Sequence, residues 1–128
     1  MFARSRVNVR KKGRISTCFP IINTLHHYIV VRRDLPLGVL ASQIVHAAGE
    51  SPVERVKSGT HAVVLGVERE SDLVQVSDAL KLHGIPHTLI EEPDPPFCNQ
   101  AMAIGVVPIE KSKVKRVLGR LSLLKELL

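Results

Sequence analysis

The chain has 128 residues, a length that supports one domain able to bury most of its apolar surface. Of these residues 45% are hydrophobic, but there is no Trp, one Tyr and three Phe, so the core must be aliphatic. No stretch approaches the roughly 20 apolar residues of a membrane span, and two cysteines are too few for a disulfide framework or a zinc site. We therefore expect no membrane partner and a cytoplasmic setting.

The net charge of +6 is concentrated at the start of the chain. Six of the 18 basic residues and none of the 12 acidic residues fall within residues 1–25, so residues 26–128 are neutral overall. Such a start is typical of an organellar targeting peptide, an arm that contacts nucleic acid, or a disordered extension. Because no periodic apolar face organises it, we interpret residues 1–25 as a disordered basic extension and residues 26–128 as the folded domain.

Beyond residue 25, apolar runs of strand length alternate with stretches of helical periodicity. The pattern predicts strands at 26–33, 60–67, 87–92 and 101–107, and helices at 37–51, 71–83 and 110–119. This alternation implies a partly parallel sheet with right-handed crossovers, and the short link at 93–100 favours a hairpin between the last two strands. We expect an α/β fold: a single compact domain with a mixed four-stranded sheet flanked by helices.

The predicted helix at 37–51 has two faces of different character. We expect its broad apolar side to pack on the sheet; that side comprises Leu37, Leu40, Ala41, Ile44, Val45 and Ala48. The other side comprises Val39, Gln43, His46 and Glu50. Polar groups gathered where a strand hands over to a helix commonly build a site in α/β proteins. Histidine in such a row is more often structural, and Asp34 equally suits a turn or capping role.

A second candidate segment follows the predicted strand at 87–92. Glu91, Glu92 and Asp94 lie at its C-terminal end, where ligands tend to bind in open α/β sheets. Neighbouring acids raise one another's pKa and can make one of them a general base. Glu91 and Glu92 point to opposite faces of a strand, so only one can face the site. The alternative, a solvated turn stiffened by proline, suits Asp94 best.

The remaining polar residues give weaker signals. The other histidines lack metal-ligand spacing, and there is no phosphate-binding glycine loop or nucleophilic serine turn, so we expect neither a metal nor a cofactor. Lys113 and Arg116 on the last predicted helix suit solvated positions near a helix C-terminus. They could instead bind phosphate if that helix lies beside the first one. The sequence leaves the oligomeric state open and allows a homodimer.

Taken in order, these segments resemble the type II peptidyl-tRNA hydrolases. That family has an apolar strand, a basic residue with Asp-Leu, and a helix beginning Ala-Ala-Gln-x-x-His-Ala. The counterparts here are Ile29-Val30-Val31, Arg32-Arg33-Asp34-Leu35 and Ala41-Ser42-Gln43-Ile44-Val45-His46-Ala47. A later strand ending in an acid and a strand reading like Leu-Ala-Ile-Gly-Pro match Leu89-Ile90-Glu91-Glu92 and Met102-Ala103-Ile104-Gly105-Val106-Val107-Pro108. The resemblance covers roughly residues 26–125 and implies the same α/β fold.

The resemblance also implies an activity, the hydrolysis of the ester that joins a peptide to tRNA, with peptidyl-tRNA as the partner. This reaction needs a base or an oriented water, a cation beside the developing negative charge, and basic surface for the tRNA backbone. The family's lysine is Val39 here, its catalytic aspartate is Glu92, and its loop threonines have no counterpart at 93–100. An alternative is a relative that binds RNA or a protein partner without chemistry.

Roles for individual residues follow from that resemblance. Glu92 is expected to be the base or the water-orienting acid, and His46 and Gln43 are expected to hold water or substrate. Arg33 would replace the missing lysine, and Asp34 would orient it. The expected further substrate contacts are Arg32, Lys113 and Arg116.

Overall fold

The computed structural model describes residues 23–125, so the basic residues of the predicted N-terminal extension lie outside the described residues. Its elements in chain order are β1 (Leu25–Arg32), α1 (Leu37–Glu50), β2 (His61–Val67), α2 (Glu70–Leu82), β3 (His87–Glu92), β4 (Gln100–Val106), β5 (Ile109–Glu110), α3 (Lys111–Leu118) and β6 (Ser122–Leu123). Every predicted strand and helix is found within one residue of its expected bounds. None of the helices within 23–125 is long and apolar enough to cross a membrane.

The strands form one mixed sheet in the order β3-β4-β1-β2-β6, and β5 pairs with β1. β1 runs parallel to β2 and antiparallel to β4, and β3 and β4 form an antiparallel hairpin. The α/β fold with a mixed sheet and this hairpin is therefore confirmed. The prediction of four strands was wrong, because the described residues form six. The two extra strands, β5 and β6, have two residues each, which is too short to leave an alternating pattern in the sequence.

Helices cover both faces of the sheet. On one face α2 and α3 pack over a core that includes Tyr28 and Val30 of β1. On the other face α1 packs over Ile29 and Val31. Successive strand residues point to opposite faces, so the uninterrupted apolar run of β1 supplies both cores. The same alternation directs the side chains of Arg32 and Arg33, at the end of β1, to opposite faces of the sheet.

α1 is rotated relative to the orientation predicted from its apolar residues. Its buried residues are Leu40, Gln43 and Ala47, whereas Leu37 and Val45 are 81% and 70% exposed. The helix approaches the sheet at Gly105, where an added Cβ would collide with the main chain of α1. This close approach fixes which side of α1 faces inward, and it places a buried glutamine over the sheet.

Candidate active site

Arg32 and Asp34, two of the predicted site residues, form a closed ion pair where β1 ends. Arg32 is 7% exposed, and its Nε and Nη2 donate to the two carboxylate oxygens of Asp34 at 2.9 and 3.0 Å. Its Nη1 donates to Gln100 Oε1 at 2.9 Å and to the carbonyl of Ala101 at 3.1 Å. Hydrogen bonding from Arg32 lowers the pKa of Asp34 and outweighs the opposing effect of burial. Through Arg32, this ion pair links the end of β1 to the start of β4.

Arg33, the predicted replacement for the family's lysine, lies over the neighbouring strand β2. Its Nη1 lies 3.2 Å from Glu68 Oε2, just beyond the end of β2. Its aliphatic stem passes over Gly66, where an added Cβ would lie 2.8 Å from Arg33 Cδ. β2 and β3 lie on opposite sides of β1 in the sheet, so this contact holds Arg33 on the side away from Glu92.

Gln43 and Glu92 are brought together across the gap between α1 and β3. Gln43 is 3% exposed, and its Nε2 donates to Glu92 Oε1 at 3.3 Å. Glu92 is half-buried, and its other oxygen accepts the backbone N–H of Asp94 at 3.3 Å. Glu91 is exposed, as expected for the neighbouring residue on a strand. The carboxylate of Glu92 is thus held by two hydrogen bonds, whereas that of Glu91 faces solvent.

A groove about 270 Å³ in volume opens beside this pair, and we call it the α1–β3 groove. It is lined by Gln43, His46, Glu50, Leu89, Ile90, Glu91, Glu92 and Pro93. The His46 side chain is 57% exposed, and its Nδ1 lies 3.6 Å from Glu50 Oε2. Helical spacing explains how Gln43, His46 and Glu50 reach one groove, since residues three, four and seven positions apart share a side of a helix. The sequence placed Glu50 in this row but gave it no role.

Among the residues that line the groove, His46 is the one with a basic side chain. None of its lining residues is Lys or Arg. Val39, at the position of the family's lysine, is half-buried and packs against the core beneath α1. Lys113 and Arg116 are exposed on α3, which lies on the opposite face of the sheet. The structure therefore does not bring these two residues to Gln43 and His46.

The groove can orient water and accept a proton, because it offers a fixed carboxylate, an amide and an imidazole. Within residues 23–125 no group of three His, Cys, Asp or Glu could hold a metal ion. The roles given to the individual residues stay predictions. So does the homodimer, because the structure describes one chain.

Comparison with known proteins gives three further findings. The family model described as peptidyl-tRNA hydrolase PTH2 matches residues 25–124. A curated peptidyl-tRNA hydrolase from Methanopyrus kandleri strain AV19 is 34% identical over 116 residues, covering 76% of this chain and 96% of the relative. The solved structure of Atu0240, a protein of unknown function from Agrobacterium tumefaciens strain C58, has a TM-score of 0.54 at 14% identity. It covers 81% of this chain and 100% of that protein, and at this identity it shows the fold alone.

The family match spans the whole region in which the ordered motifs were found, from β1 to beyond β6. The match to the Methanopyrus kandleri peptidyl-tRNA hydrolase covers 96% of that protein. This chain belongs to the peptidyl-tRNA hydrolase PTH2 family.

Proposed function

We propose that this chain hydrolyses the ester bond between a peptide and tRNA, releasing the peptide and free tRNA. The observation that carries this proposal is the carboxylate of Glu92, half-buried and held by the amide of Gln43 at the edge of an open groove. Family membership and the curated relative named a peptidyl-tRNA hydrolase support the choice of substrate.

In the proposed reaction Glu92 removes a proton from the attacking water. The water oxygen adds to the ester carbonyl, the bond to the ribose oxygen breaks, and that oxygen takes up a proton as it leaves. Gln43 keeps the carboxylate oriented by donating to one of its oxygens. His46, exposed in the same groove, contacts water or substrate. Positioning a base in this way contributes about 10² to 10⁴ in rate.

The proposed reaction proceeds without a lysine beside the developing oxyanion. Arg32 is committed to Asp34, and Arg33 is paired with Glu68, so neither guanidinium faces the groove. Removing one oxyanion-stabilising group typically costs about 10² to 10³ in rate. We therefore expect this chain to be slower by about that factor than a family member with lysine at position 39.

The experiment measures release of the N-acetylated amino acid from N-acetylaminoacyl-tRNA. We expect turnover by the wild type, none by Glu92→Gln, and faster turnover by Val39→Lys. The matched control is Asp78→Asn, which removes one carboxylate from the exposed surface of α2 on the other face of the sheet. Turnover that persists in a Glu92→Ala/His46→Ala double mutant would refute the assignment. Thermal unfolding of every variant separates loss of chemistry from loss of fold.

A second function is favoured by the same missing cation. Val39 packs against apolar neighbours and offers no positive charge to the developing oxyanion. Without that charge, the second function is to bind peptidyl-tRNA without hydrolysing it. In that case the wild type does not hydrolyse the substrate, and its affinity for tRNA falls steeply as the salt concentration rises, because phosphate contacts release counterions. Activity gained by Val39→Lys would then identify a lost catalyst on an intact site. Silence from both proteins, with no salt-dependent binding, would contradict both functions.

A further inference from the structure

The α1–β3 groove presents hydrogen-bond acceptors and negative charge. Three carboxylates, those of Glu50, Glu91 and Glu92, line it, and no Lys or Arg does. Phosphate and other anions are therefore poor occupants, because they would face like charge. A ligand that donates hydrogen bonds and carries positive charge is the favoured class.

The amide of Gln43 is an independent indication that a donor is missing. Its Nε2 donates to Glu92, which fixes the orientation of the amide, since the reverse orientation would set its oxygen against a carboxylate. Its Oε1 then has no donor among residues 23–125, although the residue is 3% exposed. A buried acceptor without a donor costs about 1 to 3 kcal/mol.

The length of the groove is set by contacts at its two ends. At one end Gln43 contacts Glu92, and at the other Thr88 Oγ1 donates to the backbone carbonyl of Glu50 at 3.4 Å. Gln43 and Glu50 are two helical turns apart, which corresponds to about 10 Å at a rise of about 1.5 Å per residue. An extended peptide rises about 3.3 Å per residue, so roughly three residues span the groove.

We propose that the groove selects substrates whose peptide part carries an ammonium group about 10 Å from the ester, and that Glu50 pairs with that ammonium. The inference rests on the proposed function, which sets the ester at Glu92. The ammonium has two possible sources, the free amino terminus of a short peptide or a lysine side chain. Both supply three donors and one positive charge to a groove that has no Lys or Arg, in which Glu50 Oε2 lies 3.6 Å from His46 Nδ1.

The test compares substrates that differ only in this charge. One pair is tripeptidyl-tRNA, Ala-Ala-Ala, with a free or an acetylated amino terminus. The other is acetylated Lys-Ala-Ala against acetylated norleucyl-Ala-Ala, which places the charge on a side chain. In both pairs the altered group is remote from the ester, so the intrinsic lability of the ester does not change.

We expect kcat/KM to be about fivefold higher for the charged member of at least one pair, the effect of one exposed ion pair about 4 Å long in water. The preference should shrink as the ionic strength rises. Glu50→Gln should move the ratio of charged to neutral substrate towards one, and Asp78→Asn, a matched loss of charge on α2, should preserve it. Equal rates within both pairs would overturn the proposal, as would a preference that Glu50→Gln leaves unchanged.

Complete lack of hydrolysis would count against the proposed function but would still leave the ammonium testable. In that case ¹⁵N NMR follows titration with tri-alanine amide, using N-acetyl-tri-alanine amide as the neutral probe. Shifts of the Gln43 side-chain amide and of His46 with the free amine alone would support the proposal. Equal responses to the two probes, or none, would overturn it.

Discussion

Asp34→Asn should destabilise the fold and should affect catalysis only through that loss. The change keeps the shape of the side chain but removes the negative charge that Arg32 meets with two hydrogen bonds of 2.9 and 3.0 Å. Arg32 stays buried at 7% exposure and keeps only neutral acceptors, Gln100 and the carbonyl of Ala101. A buried cation without its counter-charge is the unfavourable feature of the variant.

The expected size follows from the exposure of the two partners. Hydrogen bonds to charged groups contribute about 1.5 to 3 kcal/mol. The Asp34 side chain is 40% exposed, so water screens part of the attraction, and we expect a loss of about 2 kcal/mol in the free energy of unfolding. For a domain of this size that corresponds to a fall of roughly 10 °C in Tm.

Urea and thermal unfolding at neutral pH measure this loss. The matched control is Glu68→Gln, which breaks the exposed ion pair of Arg33 at the same end of the sheet. That variant should lie within about 0.5 kcal/mol of the wild type. Arg32→Met/Asp34→Asn should recover part of the loss, because it removes the buried cation as well. If Asp34→Asn is as stable as the wild type but inactive, the ion pair is catalytic and our interpretation is wrong.

The contribution of the pair also has a predictable pH dependence. Because Arg32 lowers the pKa of Asp34 in the folded chain, the stabilisation is fully present above the unfolded pKa of about 3.8. It is lost as the pH falls through the lowered folded pKa. The difference in stability between wild type and Asp34→Asn should therefore shrink only below about pH 4.

Three further changes have defined outcomes in unfolding experiments. Gly105→Ala should cost about 3 kcal/mol, because its Cβ would meet the α1 main chain and lie 2.6 Å from Ser51 Oγ. Ser51→Ala should cost about 2 kcal/mol in urea unfolding, since it strips the partner 2.7 Å from the buried His27 Nε2. Burial lowers the pKa of His27, so the unfolded chain gains a proton first and stability falls as the pH drops below 6.5. That slope should be smaller in His27→Gln; an unchanged slope would contradict this assignment.

The sequence predicted the course of the chain well because strands and helices differ in apolar period. β1 and β2 are runs rich in β-branched residues, and α2 has clear helical spacing between turn signals. The pairing of β1 with the two-residue β5 joins distant segments through backbone atoms. No side-chain pattern marks such a pairing, so the count of strands could not be read from the sequence.

The rotation of α1 was not predictable because residues 37–49 carry no formally charged side chain. Without an acid or a base to mark the solvent side, the broadest apolar stripe was the only guide. The structure buries Gln43 instead and exposes Val45. The deciding contact is with Gly105, a residue more than 50 positions away whose missing Cβ admits the helix.

The candidate site was predictable in its acid and amide but not in its basic residues. The motif on α1 and the acid ending β3 identified Gln43 and Glu92, which the structure brings into contact. Arg32 and Arg33 are adjacent in sequence, so their partners depend on which face of the sheet each side chain leaves. Asp34, the ion-pair partner of Arg32, is close in sequence, but Gln100 at the start of β4 and Glu68 just beyond β2 are distant and leave no signal near the arginines.

Position 39 and Glu50 bear on opposite ends of the α1–β3 groove. Val39 lies four residues before Gln43, so a lysine there would reach the same side of α1 and offer an ammonium near the Gln43 end. Glu50 lies two turns beyond Gln43, so the added lysine would not take the place of an ammonium paired with Glu50. Val39→Lys should therefore accelerate hydrolysis of acetylated and of free-amine tripeptidyl-tRNA by the same factor. A smaller acceleration of the free-amine form would mean that the ammonium of the substrate already lies at the Gln43 end, and it would contradict the pairing with Glu50.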